Sequence, residues 1–260
     1  MHNQFPNNWI LLRGLGREAA HWGAFLEELQ QAFPQANIHT LDLPGSGRLH
    51  HYTSPTQIEA LVKVARQQAL TEGMLNEPAL LLGLSLGGMV AWQWLSQYPD
   101  DAIAAALINS SFASLNPFYR RLRWQSYWHL ARIITAQSDA ERERRILALV
   151  SNQGEPAREA LTKQWTAIRQ QRPMSASNEI NQILAAARFK PKPQKPKQPV
   201  LVLNSLGDRL VSPDCSESIS RHYHLPLSTH PSAGHDLPND AAEWVIQHLH
   251  RWLESEGMHS

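Results

Sequence analysis

Cysteine, long apolar runs and an excess of charge are all scarce in this chain, and each absence excludes a class of protein. The 260 residues include one cysteine, Cys215, which rules out an intramolecular disulfide framework and is typical of a reducing compartment. No stretch reaches ~18 consecutive apolar residues, so the sequence predicts no membrane span. The 24 basic and 23 acidic residues nearly cancel, which gives no reason to expect a nucleic-acid partner.

The beginning of the chain points in the same direction. Residues 1–8 are polar and lack the basic-then-apolar pattern of a signal peptide. We therefore expect a cytoplasmic protein.

Apolar runs of strand length alternate with segments of helical periodicity along most of the chain. The predicted strands are 9–12, 38–43, 79–84, 104–109, 200–204 and 225–229. The predicted helices between and after them are 18–33, 54–71, 86–97, 215–223 and 241–253. This alternation predicts an α/β fold with a parallel sheet covered on both faces, in which the chemistry lies beyond the carboxyl ends of the strands.

One long segment interrupts this alternation. Residues 112–189 hold no convincing strand, and their periodicity predicts helices over 119–135, 139–150, 156–171 and 176–188. A Lys/Pro-rich extended tether follows at 190–197. We therefore predict a core domain made of residues 1–111 and 190–260, with residues 112–189 inserted as a helical cap.

A sharp turn carrying a serine follows the third predicted strand. The apolar run 79–82 ends in Gly83-Leu84-Ser85-Leu86-Gly87, and a helical pattern begins at once. Glycines two residues before and after the serine let strand and helix backbones pass closely, while the serine hydroxyl projects beyond the sheet. This pattern is typical of a nucleophile elbow with Ser85 as the nucleophile.

Two further candidates follow later strands. Asp208 comes after the fifth predicted strand and His235 after the sixth. All three side chains are therefore expected at one edge of the sheet, and their chain order is Ser, Asp, His.

The chain resembles the α/β-hydrolase superfamily, in particular its small capped serine esterases, over nearly its whole length. The matching motifs are Arg13-Gly14-Leu15-Gly16, Asp42-Leu43-Pro44-Gly45-Ser46-Gly47, Gly83-Leu84-Ser85-Leu86-Gly87-Gly88, Gly207-Asp208 and Gly234-His235. The resemblance implies a sheet trimmed to six parallel strands in the order 2-1-3-4-5-6. It also implies that Ser85 attacks, His235 is the general base, Asp208 orients His235, and the backbone N–H groups of Leu15 and Leu86 form an oxyanion hole.

Other polar residues allow alternative interpretations. Arg13 stands where the family usually has histidine, and we expect it to brace the loop by donating to nearby carbonyls. Asp42 and Asp214 compete with Asp208, although Asp42 suits a structural role and Asp214 a helix start. Cys215 is expected to be buried packing. The His222/His224 and His248/His250 pairs lack convincing partners for a metal site, so no metal or cofactor is expected.

The predicted cap begins with an unusual mixture of aromatic and basic residues. Its aromatic side chains fit either helix–helix core or the inner face of a lid over an acyl pocket; they are Phe118, Tyr119, Trp124, Tyr127 and Trp128. Its arginines fit either a solvated face or a docking surface for an acidic carrier; they are Arg120, Arg121, Arg123, Arg132, Arg142, Arg144 and Arg145.

Three functions remain open at this point. The first is a serine hydrolase that cleaves a small-molecule carboxylic ester or thioester through an acyl-enzyme. The second is a carrier-protein ester esterase or a carbon–carbon bond hydrolase using the same triad. The third is a non-catalytic hydrolase scaffold that only binds a ligand.

Overall fold

A computed structural model describes residues 5–258 of the chain. The expectation that residues 1–8 contain no signal peptide falls partly on residues 1–4, which lie outside the described residues. Within residues 5–258 no helix combines the length and the apolar character that crossing a membrane requires.

Six parallel strands form one sheet. They are β1 Asn8–Leu12, β2 Asn37–Leu41, β3 Ala79–Leu84, β4 Ala102–Ile108, β5 Val200–Ser205 and β6 Leu227–His230. Their spatial order is β2-β1-β3-β4-β5-β6, and every neighbouring pair is parallel. The predicted α/β fold class and strand order are confirmed.

Helices lie between and after the strands. In chain order they are α1 Phe25–Ala32, α2 Ile58–Thr71, α3 Leu86–Gln97, α4 Phe118–Arg121, α5 Tyr127–Ile134, α6 Asp139–Val150, α7 Glu155–Gln171, α8 Ala176–Arg188, α9 Asp214–Tyr223, α10 Leu237–Asp240 and α11 Ala242–Ser255. The helices α4 to α8 all fall between β4 and β5, within the segment predicted to be helical.

Successive side chains along each strand point to opposite faces of the sheet, and this divides the core into two layers. On β1, Ile10 and Leu12 pack with α2, α3 and α9 on one face of the sheet. Trp9 and Leu11 point to the other face and pack with α1 and α11, as the two-residue period of a strand requires. A third apolar cluster lies away from the sheet, among α5, α6 and α7.

Three predicted helices differ from the observed ones. The helix predicted over 18–33 breaks at Gly23, whose φ of 52° lies in the left-handed region, leaving a 3₁₀ turn at Ala19–Trp22 and then α1. The helix predicted from residue 54 starts at Ile58. Ser54 does not cap it: its hydroxyl donates to the Pro55 carbonyl at 3.4 Å, and its backbone N–H and C=O bond to Asn178 and Asn181 of α8.

The helix predicted over 119–135 is also divided. Between α4 and α5 the backbone is extended at Leu122, and the N–H of Arg123 donates to the carbonyl of Leu210 at 2.9 Å. That bond to a core loop replaces the bond that would have continued the helix.

Candidate active site

Ser85 lies at the junction of β3 and α3 in a strained backbone conformation. Its φ of 57° and ψ of −112° are rare for a residue with a side chain, and such strain is maintained only where surrounding contacts impose it. Here the Ser85 N–H donates to the Ile108 carbonyl at 2.8 Å, and the Ser110 hydroxyl donates to the Ser85 carbonyl at 3.0 Å. The turn is therefore held on both sides by β4 and the residues after it.

The flanking glycines leave no room for side chains. A Cβ on Gly87 would lie 2.1 Å from the carbonyl oxygen of Leu12, and one on Gly83 would lie 2.4 Å from the carbonyl oxygen of Gly87. Both contacts are with backbone, which cannot move aside. This close passage of strand and helix is what a nucleophile elbow needs.

His235 and Asp208, which are 27 residues apart in sequence, form a direct hydrogen bond. The distance from His235 Nδ1 to Asp208 Oδ2 is 2.7 Å, and both side chains are buried. The other oxygen of Asp208 accepts from the N–H groups of Leu210 and Val211, at 2.8 and 2.9 Å. The carboxylate is thus fixed in orientation. Within residues 5–258 His235 Nε2 has no hydrogen-bond partner, Ser85 Oγ included.

The charge around His235 favours its protonated form. Burial lowers the pKa of His235, but the charge and hydrogen bond of Asp208, with a smaller contribution from Asp236, outweigh that effect and raise the pKa above its ordinary value of 6.5. An imidazole in this setting readily holds a proton taken from a neighbouring hydroxyl.

Asn109 holds the loop of His235 and was not identified from the sequence as a site residue. Its side-chain amide donates to the carbonyl of His235 at 2.8 Å, and its carbonyl oxygen accepts from the N–H of Ser205 at 3.0 Å. Asn109 also has a positive φ of 47°. The available signal was a polar residue ending a strand at the edge where the candidates converge.

Arg13 makes a different contact from the one expected. Its guanidinium forms two hydrogen bonds with the carboxylate of Asp236, at 3.1 and 2.5 Å, and both side chains are buried. Burial raises the pKa of Asp236, but the charge and hydrogen bonding of Arg13 outweigh it and lower that pKa below 3.8. The expectation of carbonyl acceptors is therefore wrong, because a carboxylate one residue after His235 takes both donors.

The loop after β1 lies against Ser85. A Cβ on Gly14 would lie 3.4 Å from the Cβ of Ser85. The N–H of Gly16 donates at 3.0 Å to the side chain of Gln182 on α8, which in turn donates to the Pro44 carbonyl at 3.2 Å. Within residues 5–258, the backbone N–H groups of Leu15 and Leu86 donate to no protein acceptor, so both remain available to a bound group.

The competing acidic residues lie in other environments. Asp42 accepts from the N–H groups of Ala19 and Arg48, at 2.8 and 2.9 Å, and so ties together two loops. Asp214 is half-exposed at the start of α9, where it pairs with Arg120. Neither contacts His235, which is bonded to Asp208.

Cys215 lies inside the core, and the described residues contain no metal cluster. Burial raises the pKa of the Cys215 thiol to about 12, so it carries no thiolate at neutral pH. Among residues 5–258 no group of three or more His, Cys, Asp or Glu side chains is placed to hold a metal ion.

The arginines of the inserted helices are mostly committed to intramolecular contacts. Arg121 is buried and donates to the carbonyls of Ala186 and Ala187. Arg123 donates to the carbonyl of Asp208. Three other arginines named from the sequence form ion pairs: Arg120 with Asp214, Arg142 with Glu179 and Arg145 with Glu141.

Comparison with known proteins gives a family match over most of the chain. The model described as "Alpha/beta hydrolase family" matches residues 9–248. Pimeloyl-[acyl-carrier protein] methyl ester esterases of Salmonella newport and Salmonella enteritidis are 34% identical to this chain over 102 residues. That match covers 39% of this chain and only 36% of each of these relatives.

Solved structures share the whole fold at low sequence identity. A thermophilic esterase from Thermogutta terrifontis is 22% identical with a TM-score of 0.70, covering 97% of this chain and 91% of that one. A 2-hydroxy-6-oxo-6-phenylhexa-2,4-dienoate hydrolase from Rhodococcus sp. strain RHA1 is 19% identical with a TM-score of 0.72, covering 98% of both chains. At such identities these similarities establish the fold alone.

Proposed function

The chain belongs to the alpha/beta hydrolase family, and on that premise we propose that it is a serine hydrolase that cleaves a carboxylic ester or thioester through an acyl-enzyme. The observation that carries this proposal is the buried 2.7 Å contact between His235 and Asp208, at the same edge of the sheet as the strained turn of Ser85. Three side chains of the right types follow the carboxyl ends of β3, β5 and β6, where the chemistry of such sheets takes place.

The proposed reaction uses each group for one task. Because Asp208 engages Nδ1 of His235, Nε2 is the nitrogen that takes the proton as Ser85 Oγ attacks the substrate carbonyl carbon. The N–H groups of Leu15 and Leu86 stabilise the resulting oxyanion. The imidazolium then gives its proton to the leaving alkoxide or thiolate, which returns His235 to its neutral form. A water molecule that loses its proton to His235 attacks the acyl carbon, and the acid is released as Ser85 Oγ takes that proton back.

The environment of Arg13 supports catalysis over a purely binding role. An arginine beside the oxyanion loop could occupy the oxyanion position with its own charge, which would suit a non-catalytic scaffold. Here the two terminal nitrogens of its guanidinium, Nη1 and Nη2, both donate to Asp236. The proposed oxyanion site is therefore left to the substrate.

A carrier-protein ester is the second candidate substrate. The names of the Salmonella relatives favour it, although those relatives are matched over about a third of their length. Three of the arginines that could dock an acidic carrier, Arg120, Arg121 and Arg123, are engaged within the protein. This supports a small ester or thioester as the substrate class. Hydrolysis of a carbon–carbon bond would use the same three side chains, so the triad alone does not distinguish it from ester hydrolysis.

The decisive experiment is covalent labelling with a fluorophosphonate probe. We expect the probe to label the wild-type protein and not the Ser85→Ala variant, whose turnover of short-chain p-nitrophenyl esters should fall at least about a thousandfold. Ser96→Ala is the matched control, since Ser96 lies late in α3 and bonds to the Trp92 carbonyl; it should label normally. A folded wild-type protein that resists the probe, or a labelled Ser85→Ala variant, would refute the proposal.

A second measurement separates the substrate classes. Initial rates on acetyl to dodecanoyl esters and thioesters, and on a methyl ester carried by an acyl-carrier protein, are compared at low and high salt. A small-molecule hydrolase keeps its rate as salt increases, whereas recognition of an acidic carrier by exposed arginines weakens steeply.

A further inference from the structure

Five aromatic side chains lie on the surface of the segment that links β4 to the inserted helices. They belong to α4, to the 3₁₀ turn Trp124–Ser126 and to the start of α5, and they are Phe118, Tyr119, Trp124, Tyr127 and Trp128. Their exposed fractions run from 42% at Tyr127 to 70% at Trp128, and Ile134 at the end of α5 is 76% exposed. We call these six side chains the aromatic face. Helix–helix core is thus the wrong interpretation for them.

The helix α5 carries both buried and exposed apolar residues. Ile133 is buried and half-buried Leu130 packs beside it, in the cluster shared with α6 and α7. That contact buries Ile133 and part of Leu130, whereas Tyr127, Trp128 and Ile134 remain exposed. So many exposed large apolar side chains within one short segment, in an otherwise well-packed protein, indicate a place where something else binds.

The charge of this segment is of one sign. No aspartate or glutamate occurs between Asp101 and Asp139. In that interval Arg132 is exposed on α5, four residues after Trp128, and within residues 5–258 its side chain forms no ion pair. The partner therefore has to offer both an apolar phase and negative charge.

We propose that the aromatic face docks on an anionic lipid surface. Tryptophan and tyrosine have an apolar ring and a polar N–H or O–H, a combination that favours the boundary between lipid headgroups and acyl chains. A helix lying in that boundary exposes apolar residues on one face, with arginines placed to meet lipid phosphates. A second copy of this chain is a poorer occupant, because a two-fold contact would bring together two copies of a segment that has arginines and no carboxylates.

The aromatic face is joined to the loop that carries Asp208. The Arg123 N–H donates to the Leu210 carbonyl at 2.9 Å, and the N–H of Ser212 donates to the Arg120 carbonyl at 2.9 Å. Leu206, two residues before Asp208, is itself 52% exposed. Docking through this face would bring the edge of the candidate site to the lipid surface, but the docking itself does not depend on the proposed reaction.

Co-sedimentation with vesicles tests the proposal without any turnover. We expect the full-length protein to bind vesicles of mixed phosphatidylglycerol and phosphatidylcholine. Its binding to pure phosphatidylcholine vesicles should be weaker by a factor of at least about ten. The double variant Trp124→Ser/Trp128→Ser should lose about a hundredfold in binding to the mixed vesicles. The Arg132→Glu variant should lose the preference for the anionic lipid.

Leu70→Ser is the matched control, since Leu70 is an exposed apolar residue on α2. It should bind as the wild type does, and thermal unfolding of every variant should verify that the exposed substitutions leave the fold intact. The proposal is overturned if the wild type sediments with neither vesicle, or if Leu70→Ser loses binding as the tryptophan variant does. Binding to an acidic acyl-carrier protein instead of vesicles, or a dimer that the tryptophan substitutions dissociate, would also overturn it.

Discussion

Arg13 and Asp236 connect two loops that the proposed reaction needs in register. Arg13 precedes the Gly14–Leu15 turn beside Ser85, and Asp236 follows His235 directly. Breaking a buried pair by removing one partner typically costs about 3–5 kcal/mol, because the other charge stays buried without compensation. The side chain of Arg13 also lies over the ring of Trp22, 4.8 Å from its centroid. The pair therefore fixes the distance between the proposed oxyanion donors and the imidazole.

The raised pKa of His235 predicts the pH dependence of the reaction. A general base must be unprotonated to act, so kcat/KM on a p-nitrophenyl ester should rise with pH, with its midpoint above the ordinary histidine value of 6.5. Asp236→Asn removes a negative charge that raises this pKa, and the uncompensated Arg13 lowers it further. The midpoint of the variant should move to lower pH.

Stability should follow the opposite course. Because the pKa of His235 is raised in the folded protein, its protonation stabilises the fold below pH 6.5, and that contribution is lost as pH rises through the folded-state value.

A pH–rate midpoint at or below 6.5 in the wild type, or one that rises in Asp236→Asn, would contradict the kinetic prediction. Glu72→Gln serves as a control, since it also removes one negative charge of an ion pair, in this case the exposed pair of Glu72 with Arg48. It should leave the midpoint unchanged.

At the scale of elements, β3 and α3 were predictable because their causes are local. The apolar run, the two glycines and the periodic residues after Ser85 lie within twenty positions, and β3 and α3 begin and end as the pattern indicates. The contact of His235 with Asp208 could be inferred only from family resemblance and strand ends. The partner of Arg13 could not, because it lies 223 residues away and nothing near either residue signals the pairing.

The errors in helix boundaries have the same origin. Ser54-Pro55 has the local chemistry of a helix start, but the amide side chains of α8 take the backbone groups of Ser54. Arg123 has helical neighbours, but a core loop accepts its N–H. In both places a polar group that is distant in sequence outweighed the local preference for a helix. The residues next to Ser54 or Arg123 in the sequence do not reveal such a partner.

Gln182 makes α8 a support for the proposed oxyanion loop. Its side chain is buried and joins the N–H of Gly16 to the carbonyl of Pro44. Replacing it with methionine of similar size removes both hydrogen bonds, so the loop carrying Leu15 loses a restraint. We expect Gln182→Met to lower kcat about tenfold while KM changes less than twofold, since the loss falls on stabilisation of the transition state.

Asn181→Ala is the matched control for Gln182→Met. Asn181 lies next to it on α8 and also bonds to a core loop, at the carbonyl of Ser54, but that loop carries none of the proposed catalytic groups. Kinetics of both variants on one ester provide the check. Equal losses in kcat, or a loss confined to KM, would mean that α8 acts only as packing.

At the scale of the whole molecule, the apolar residues of the inserted segment belong to two different clusters. The predicted cap covers residues 112–189. Ala185 and Phe189, at the end of that range, lie in the same apolar cluster as α2 and α3, and Asn178 and Gln182 bond to core loops. The apolar contacts of α5, α6 and α7 form a cluster of their own. We propose that the separable unit is about 124–171 and that α8 belongs to the core.

Native-state hydrogen exchange can locate that boundary, because elements that share a core open together and those with a small separate core open more easily. We expect amides of α6 and α7 to exchange through a lower-energy opening than those of β3, α3 and α8. Trp165→Ala should deepen the difference, since it removes the largest side chain from the small cluster, at a cost of about 3–5 kcal/mol. Phe189→Ala, the matched change in the large cluster, should instead speed exchange in α8 and α3.

If α8 opens with α6 and α7 in the wild type and responds to Trp165→Ala, the whole of 112–189 acts as one cap. The aromatic face would then move with the helix that supports the proposed oxyanion loop, and a ligand bound to that face could alter the loop carrying Leu15 through α8 and Gln182.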